Sequence, residues 1–210
     1  MIIAVDGPTA SGKGTIARAL AARFGLPHLD TGLLYRAVGR QVFLAGGNPD
    51  DPADALAACD FADSLLGDRN LRSETSGGLA SRVSVHPAVR EALYERQRRF
   101  ALQPGGAVLD GRDIGTVIAP DAEVKLFVTA SVEARALRRW NEMRERGENP
   151  TLADIEMDLH RRDERDRSRA EAPLRAADDA VVLDTSELDR NAAVAAAIAL
   201  VETRIGGRSA

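Results

Sequence analysis

The sequence has a single cysteine, no long apolar run and no excess of positive charge. Cys59 is the only cysteine in 210 residues, so an internal disulfide is impossible and a reducing compartment is expected. The longest apolar run, 192–201, is too short to cross a bilayer, and the first residues lack the basic start of a signal peptide. The formal net charge of −4 is unlike the basic balance typical of nucleic-acid binding. We therefore expect a cytoplasmic protein with neither a membrane nor a nucleic-acid partner.

Lysine is also scarce. Lys13 and Lys125 are the only lysines among 28 basic residues, and all the others are arginine. A coding bias can explain the arginines, but a lysine at position 13 then needs a reason. Lys13 lies in a glycine-containing segment directly after the first apolar run, where the sequence carries its clearest chemical signal.

Apolar runs alternate with helical segments along the whole chain. Strands are predicted at 2–5, 107–109, 124–128 and 180–183. Helices are predicted at 13–24, 32–45, 53–66, 87–101, 131–146, from 151 onward and at 190–204, and 67–78 is predicted to be a loop. The alternation predicts an α/β fold in three layers, with a parallel sheet flanked by helices. Because this length suits one core, residues 1–210 are predicted to form a single domain.

The segment after the first predicted strand has the spacing of a phosphate-binding loop. Its glycines would let the backbone wrap around phosphate oxygens, with main-chain N–H groups and the positive end of the next helix facing the anion. Lys13 would reach the outer phosphates and offset the charge that develops during transfer. A glycine turn that merely leads into a helix would need all these features to coincide. The residues predicted to bind the triphosphate are Gly7, Pro8, Thr9, Ala10, Ser11, Gly12, Lys13, Gly14 and Thr15.

The motif predicts triphosphate binding but does not specify the reaction. In its plain form a hydroxyl residue follows the lysine directly, whereas here Gly14 precedes Thr15, an ending that resembles nucleoside monophosphate kinases. Thr15 is still predicted to serve Mg²⁺, directly or through water. A GTPase would need an Asn-Lys-x-Asp motif, and Lys125 is not preceded by asparagine. A motor ATPase would place adjacent acids at a strand end, whereas Asp163 and Glu164 fall in a predicted helix.

Two clusters near predicted strand or helix ends indicate a second anionic substrate. Arg36 lies near a helix start, where it could hold a phosphate through two hydrogen bonds; alone, it would be interpreted as a surface arginine. Asp110, Arg112 and Asp113 follow a predicted strand, at the edge where open α/β sheets bind ligands. Asp110 is a candidate for Mg²⁺, Arg112 for phosphate and Asp113 for an exocyclic amine. The alternative for this second cluster is a polar turn with an aspartate cap.

A third cluster lies in a charge-rich predicted helix. Arg162, Asp166 and Arg169 are spaced at i, i+4 and i+7, which places them in one sector of that helix. Two arginines on either side of a carboxylate suit a sugar hydroxyl and a nearby phosphate. The spacing alone favours a structural ladder of ion pairs instead.

In this order the clusters resemble the bacterial cytidylate kinases, the CMP/dCMP kinase branch of the nucleoside monophosphate kinases. The resemblance runs nearly end to end, and Asp-Gly-Arg-Asp combined with Arg-Asp-Arg-x-Arg is rather specific to that family. The residues that carry it are 6–15, 30–36, Ser81 with 87–93, 110–116 and 162–174.

The resemblance implies a P-loop kinase fold, with an acceptor-binding subdomain at 36–100 and a lid at 144–158. Many family members carry a longer insert with a small antiparallel sheet, whereas here the insert is short and 71–78 shows no strand pattern. The implied substrate-binding residues are Thr31, Arg36, Ser81, Arg90, Arg112, Asp113, Arg162, Asp166 and Arg169. Lys13, Arg112 and Arg139 are implied to act in catalysis, Arg135 on the donor nucleotide, and Thr15 and Asp110 on the metal.

The implied reaction is transfer of a phosphoryl group from ATP to CMP or dCMP, assisted by Mg²⁺. It needs no covalent intermediate or dedicated general base, and His28, His86 and His160 are interpreted as structural or solvent-facing. The chain shows no apolar face that demands a partner, so a monomer is expected. The alternatives are a kinase of UMP, shikimate or dephospho-coenzyme A, and a nucleotide-dependent switch or binding protein without acceptor-stimulated turnover.

Overall fold

The computed structural model describes residues 1–207, so the last three residues of the predicted domain 1–210 lie outside the described residues. The chain divides into two compact units. The first consists of Met1–Leu29 and the chain from Ala101 onward, and the second of Asp30–Phe100. The bounds predicted for the acceptor subdomain and the lid stay predictions.

A five-stranded sheet forms the centre of the first unit. Its strands run in the order β2-β3-β1-β4-β5, and β1 pairs in parallel with β3 and β4, as β4 does with β5. The three-residue strand β2 was not predicted, because so short a segment carries no period. The strands are β1 (Ile2–Asp6), β2 (His28–Asp30), β3 (Ala107–Gly111), β4 (Val124–Thr129) and β5 (Val181–Asp184).

Helices follow the strands, as the alternation predicts. A π-helical turn, Ile114–Ile118, lies after β3. The helices are α1 (Lys13–Phe24), α2 (Thr31–Leu44), α3 (Pro52–Ala57), α4 (Glu74–Val83), α5 (Pro87–Ala101), α6 (Val132–Glu145), α7 (Leu152–Ser168) and α8 (Arg190–Gly206). None of the described helices is both long and apolar enough to cross a membrane.

Both faces of the sheet are covered, which explains why its strands appear in the sequence as unbroken apolar runs. On one face Ile3 and Leu126 pack with Leu20 of α1 and Val201 of α8 in a single buried cluster. Residues that alternate with these, such as Leu109, are also fully buried. The predicted three-layer α/β fold is therefore confirmed.

Two predictions in the second unit are wrong. The predicted helix 53–66 ends at Ala57, and a separate 3₁₀ segment covers Asp63–Gly67. The predicted loop 67–78 contains a second 3₁₀ segment, Arg69–Arg72, and most of the first two turns of α4. The second unit has no described strand beyond the end of β2.

Close packing explains the unpredicted helix α4. Ser73 caps it by accepting a hydrogen bond from Ser76 N, and Ser76 and Gly77 are buried. A Cβ on Gly39 of α2 would lie 2.7 Å from the Cβ of Leu79, so this glycine lets α2 and α4 approach closely. The small polar residues that resemble a loop in the sequence are therefore those that permit this helix contact.

Candidate active site

The glycine-containing loop connects β1 to α1, as predicted. Gly7 has a φ of 154°, and a Cβ there would lie 2.0 Å from the carbonyl oxygen of Val128, so the loop can leave β1 only through glycine. Gly12 has a φ of 90° and provides no side-chain cap for α1. Because the first turn of α1 also lacks an acidic residue, its N–H groups are suited to an anionic ligand.

Side-chain donors bind three carbonyl oxygens of this loop. The bonds run from Lys13 Nζ to Pro8 O (3.2 Å), from Arg135 Nη1 to Thr9 O (3.2 Å) and from Thr185 Oγ1 to Ser11 O (3.1 Å).

The hydroxyl of Ser11 is suited to a ligand. Ser11 is fully buried, and within residues 1–207 its Oγ has no hydrogen-bond partner, so a phosphate oxygen would satisfy it.

The segment after β3 is fixed by a carboxylate at the end of β1. Asp6 lies opposite Gly111 in the sheet register and accepts hydrogen bonds of 2.8 Å from the N–H groups of Ile114 and Gly115. These bonds anchor the turn that follows Asp113, and so position the Asp-Gly-Arg-Asp motif beside the loop. The role of Asp6 was not predicted, because its partners are more than 100 positions away in the sequence.

Burial gives Asp6 an unusual pKa. Burial raises the pKa to about 7 from 3.8, although the hydrogen bonds from Gly115 and Ile114 act to lower it. Since the folded protein binds a proton that the unfolded chain has released, the contribution of Asp6 to stability falls as pH rises from about 4 to about 7. We expect the free energy of unfolding of the native protein, relative to Asp6→Asn, to fall by at most about 1.4 kcal/mol per pH unit in that window. Urea unfolding at about pH 5, 6 and 7 checks this; a constant difference would contradict it.

Arg112 links the loop to α7. Its Nη2 donates to Thr9 Oγ1 at 2.7 Å, and its Nε donates to Asp166 at 2.8 Å. Burial acts to raise the pKa of Asp166, but the charges of Arg112 and Arg169 outweigh it and the pKa is lowered. Burial likewise acts to lower the pKa of Arg112, but Asp166, Asp110 and Asp163 together outweigh it, so the pKa is raised. Both groups are therefore charged at neutral pH.

The predicted sector of α7 is buried rather than solvent-facing. Arg162 and Asp166 are 6% and 5% exposed, and Arg169 lies 3.9 Å from Asp166. Arg162 also pairs with Asp158 at 2.7 Å, one rung of the ion-pair ladder that the spacing favours. Burial lowers the pKa of Arg162, with a further decrease from the charge of Arg112. The positive charges of Arg112, Arg162 and Arg169 are thus concentrated in a largely buried region, which indicates an anion-binding site.

The two arginines of α6 that were predicted to serve the site differ in their surroundings. Arg139 pairs with Glu142 at 3.0 Å, and burial, reinforced by the charge of Arg162, lowers its pKa. Arg135 is 2% exposed and forms a two-point ion pair with Asp163, with distances of 2.6 and 3.1 Å. The predicted contact of Arg135 with the donor nucleotide stays a prediction.

The second unit positions the other predicted acceptor residues. Arg36 Nη1 donates to the carbonyl oxygens of Leu71 and Ser73, at 2.7 and 3.0 Å. The guanidinium of Arg90 lies over the ring of Tyr35, 5.8 Å from its centre. Among the remaining predicted residues, Thr31 is buried at the start of α2 and Ser81 lies on α4.

The metal candidates fit an ion that is held mainly by phosphates and water. Within residues 1–207 no group of three or more His, Cys, Asp or Glu could hold a metal by itself. Asp110 is buried, and one of its carboxylate oxygens lies 3.6 Å from where a Cβ on Gly14 would be. One carboxylate beside a phosphate loop, with the Thr15 hydroxyl nearby in sequence, suits Mg²⁺, which keeps several water ligands and binds substrate phosphates.

Asp110 has a partner that sequence analysis missed. His28 Nε2 lies 2.7 Å from Asp110 Oδ1 and fixes the orientation of the carboxylate. His28 lies on β2 and Asp110 on β3, strands adjacent in the sheet. The strand order was not predicted, so no signal could have joined the two residues beforehand.

Comparisons with known proteins agree with this geometry. The profile of the family described as cytidylate kinase matches residues 3–203. A cytidylate kinase of Xanthobacter autotrophicus is 57% identical over 99% of this chain and 100% of that protein. One of Methylocella silvestris is 57% identical over 97% of this chain and 94% of that protein. An uncharacterized protein from Eubacterium ventriosum is similar in fold, with a TM-score of 0.56 and 14% identity over 96% of this chain and 98% of that chain.

Proposed function

The chain belongs to the cytidylate kinase family, and on this basis we propose a division of the reaction among its own residues. The reaction is ATP-dependent phosphorylation of CMP and dCMP to CDP and dCDP, with Mg²⁺. Phosphoryl transfer of this kind needs positioning and charge neutralisation rather than a covalent intermediate. The residues of the chain can therefore be assigned to donor binding, acceptor binding and charge neutralisation.

The donor phosphates bind the loop between β1 and α1. The uncapped start of α1, the buried Ser11 hydroxyl and the ammonium of Lys13 together provide neutral and charged donors to phosphate oxygens. Asp110 and Thr15 would hold Mg²⁺, which when bound neutralises charge on the donor phosphates. His28 keeps the Asp110 carboxylate in one orientation.

The single observation that carries the acceptor assignment is the half-buried contact of Arg112 with both Thr9 and Asp166. It brings an arginine of the Asp-Gly-Arg-Asp motif, a donor-loop residue and the carboxylate of α7 into direct contact. We assign Arg112, Arg162 and Arg169 to the phosphate and sugar of the acceptor and to the charge of the transferred group. Asp166 would then accept a hydrogen bond from a sugar hydroxyl.

Arg139 and Arg36 complete the cationic groups in this proposal. Arg139 would approach the transferred phosphoryl group from α6. Burial, reinforced by the charge of Arg162, lowers its pKa, and a bound anion would offset both effects. Arg36 is assigned to the acceptor phosphate, and two backbone carbonyls fix its side chain. Thr31 lies at the start of the same helix.

The base would be selected by Asp113, Ser81 and Arg90. A carboxylate accepts a hydrogen bond from the exocyclic amine of cytosine, whereas uracil presents a carbonyl oxygen at the same place. Asp113 is 4% exposed, so a base that presents a carbonyl oxygen would place two hydrogen-bond acceptors against each other in a desolvated site.

Asp113→Asn is expected to reduce the preference for CMP over UMP by at least about tenfold, because the amide can donate to uracil. The measurement is kcat/KM for each of the two nucleotides, with the Kd of ATP as the control. An unchanged CMP-to-UMP ratio in a folded variant would remove Asp113 from the base-binding group. A loss of ATP affinity of the same size would indicate general damage to the site.

We also propose that the protein acts as a cytoplasmic monomer with no nucleic-acid or membrane partner. The acidic charge balance and the single cysteine support this. Sedimentation equilibrium at micromolar concentration is expected to give the mass of one chain. A dimer at that concentration would contradict the proposal.

A further inference from the structure

The carbonyl side of the phosphate loop is anchored by residues that are distant in sequence. Because a trans peptide is planar, the carbonyl of one residue and the N–H of the next point in opposite directions. The bond from Arg135 to Thr9 O therefore fixes the direction of the Ala10 N–H, and the bond from Thr185 to Ser11 O fixes that of the Gly12 N–H. Anchoring the carbonyls on one side presets the N–H groups on the other.

The loop needs such support because its backbone is strained. Ala10 has a φ of 62°, a left-handed conformation that is unfavourable for a residue with a side chain. Conformations of this kind persist only where the surroundings determine them. The peptide that precedes Ala10 is the one whose carbonyl Arg135 binds.

Arg135 is committed to this role by its other bonds. Nε donates to Ala130 O at 3.0 Å, Nη1 to Thr9 O and Asp163 Oδ1, and Nη2 to Asp163 Oδ2. Arg135 and Asp163 are 2% and 3% exposed. Since a buried ion pair generally adds little net stability over apolar packing, fixing a geometry explains this pair better than stability does.

Thr185 anchors the loop from the end of β5. It follows β5 directly, is 1% exposed, and its Oγ1 accepts from Arg138 Nη1 at 3.1 Å while donating towards Ser11 O. The same hydroxyl is 3.1 Å from Thr129 O, at the end of β4. A hydroxyl has one proton, and Thr129 O already accepts from the Thr185 N–H at 2.9 Å. The hydroxyl proton therefore serves Ser11 O and ties the loop to the end of β5.

We infer that Arg135, Asp163 and Thr185 are positioning residues, a brace that presets the loop N–H groups for the donor triphosphate. The brace would set the affinity for ATP and leave that for CMP unchanged. In this inference Arg135 positions the loop instead of contacting the donor nucleotide directly. The inference deepens the proposed function and rests on it for the identity of the donor.

Thr185 offers a matched pair of variants. Thr185→Val keeps the shape and removes only the hydroxyl, whereas Thr185→Ser keeps the hydroxyl and removes a methyl group. We expect the Kd of Mg·ATP, measured by calorimetry, to rise about tenfold in the valine variant, the equivalent of one lost hydrogen bond. The serine variant is expected to stay within about threefold of the native protein, and the Kd of CMP to stay unchanged in both.

Asp163→Asn tests the second arm of the brace, with Glu164→Gln as its control. Glu164 is the next residue of α7 and is exposed, so its substitution removes the same charge without touching Arg135. Weaker ATP binding in Asp163→Asn alone, with unchanged CMP affinity, is the expected result. Equal weakening of both nucleotides, or a lower unfolding midpoint with native ATP affinity, would overturn the inference and leave a purely structural ion pair. Equal Kd values for Mg·ATP in Thr185→Val and Thr185→Ser would also overturn the inference.

These measurements separate the brace from the proposed function. They need only binding of Mg·ATP by the native chain and no turnover. If the native chain binds ATP but phosphorylates no cytidine nucleotide, the acceptor assignment fails while the brace is still tested. If CMP is phosphorylated well and the valine variant binds ATP normally, only the brace is wrong.

Discussion

Lys13→Met is expected to reduce kcat by about 10²- to 10³-fold while the protein stays folded. A charged donor directed at developing charge typically contributes that much when the site is preorganised. Lys13 Nζ lies within the loop, 3.2 Å from Pro8 O. Methionine at this position removes the positive charge and keeps most of the side-chain volume. Initial-rate kinetics at saturating ATP and CMP give kcat for the native protein and for the variant.

The other lysine of the chain provides a control. Lys125 Nζ donates to Pro120 O at 2.6 Å and to Asp179 at 2.8 Å, and the residue is 8% exposed. Lys125→Met is therefore expected to lower the unfolding midpoint and leave kcat near the native value. If both variants lost activity in proportion to stability, Lys13 would have no special part in the transfer.

Arg162→Ala is expected to lower kcat/KM for CMP by about 10²-fold, with the Kd of ATP within about threefold of native. Truncating one partner in a buried charged site costs about 2–5 kcal/mol, and the range reflects how far water replaces the lost guanidinium. Arg162 is 6% exposed and lies among the charges of Arg112, Asp158 and Asp166. The effect should fall on the acceptor because these groups belong to the acceptor side of the proposal.

Arg161→Ala is the matched control for this substitution. Arg161 precedes Arg162 on α7 but is exposed, and its Nη2 contacts only the thioether of Met157 among the described hydrogen bonds. Arg161→Ala is expected to change kcat/KM for CMP and the Kd of ATP by less than about threefold each. Equal losses of ATP and CMP affinity in Arg162→Ala would contradict the acceptor assignment.

Three successive positions of α7 thus have different expected signatures. Arg161 is neutral, Arg162 affects the acceptor, and Asp163 affects the donor through Arg135. Because all three side chains project from one turn of one helix, a general loss of helix stability would give a similar result at each of them. Different signatures would instead require the specific contacts described above.

The sequence signals that worked are local ones. The predicted helix 13–24 coincides with α1, because a glycine loop starts it, while Gly25 in a left-handed conformation ends it. The predicted helix 87–101 coincides with α5 in the same way, with Pro87 at its start. Signals that lie within one or two turns of a boundary can be read without knowledge of the fold.

The features that were predicted wrongly or not at all depend on contacts between residues distant in the sequence. The helix α4 forms where Gly39 permits Leu79 to approach, and nothing within 67–78 records this. The pairing of Thr185 with Ser11 spans 174 positions, and that of Asp6 with Ile114 spans 108. Such contacts follow from the order of strands in the sheet, which the amino-acid pattern of a single chain does not specify.

Arg135 and Asp166 illustrate the same limit within the site. Spacing on a helix predicts which residues share a face, and it correctly placed Asp166 in one sector with Arg162. It does not predict which groups meet them from other elements, here Arg112 after β3 and Thr9 in the loop. The partner of a charged residue decides whether it serves substrate, scaffold or both.

The most direct measurement is ADP release with Mg·ATP and each nucleoside monophosphate offered separately. Cytidylate kinase activity requires rapid turnover with CMP and dCMP, much slower turnover with UMP, and rates near background with AMP and GMP. Turnover with none of them, in a protein that binds ATP, would contradict the proposed function and leave the phosphate loop without an acceptor.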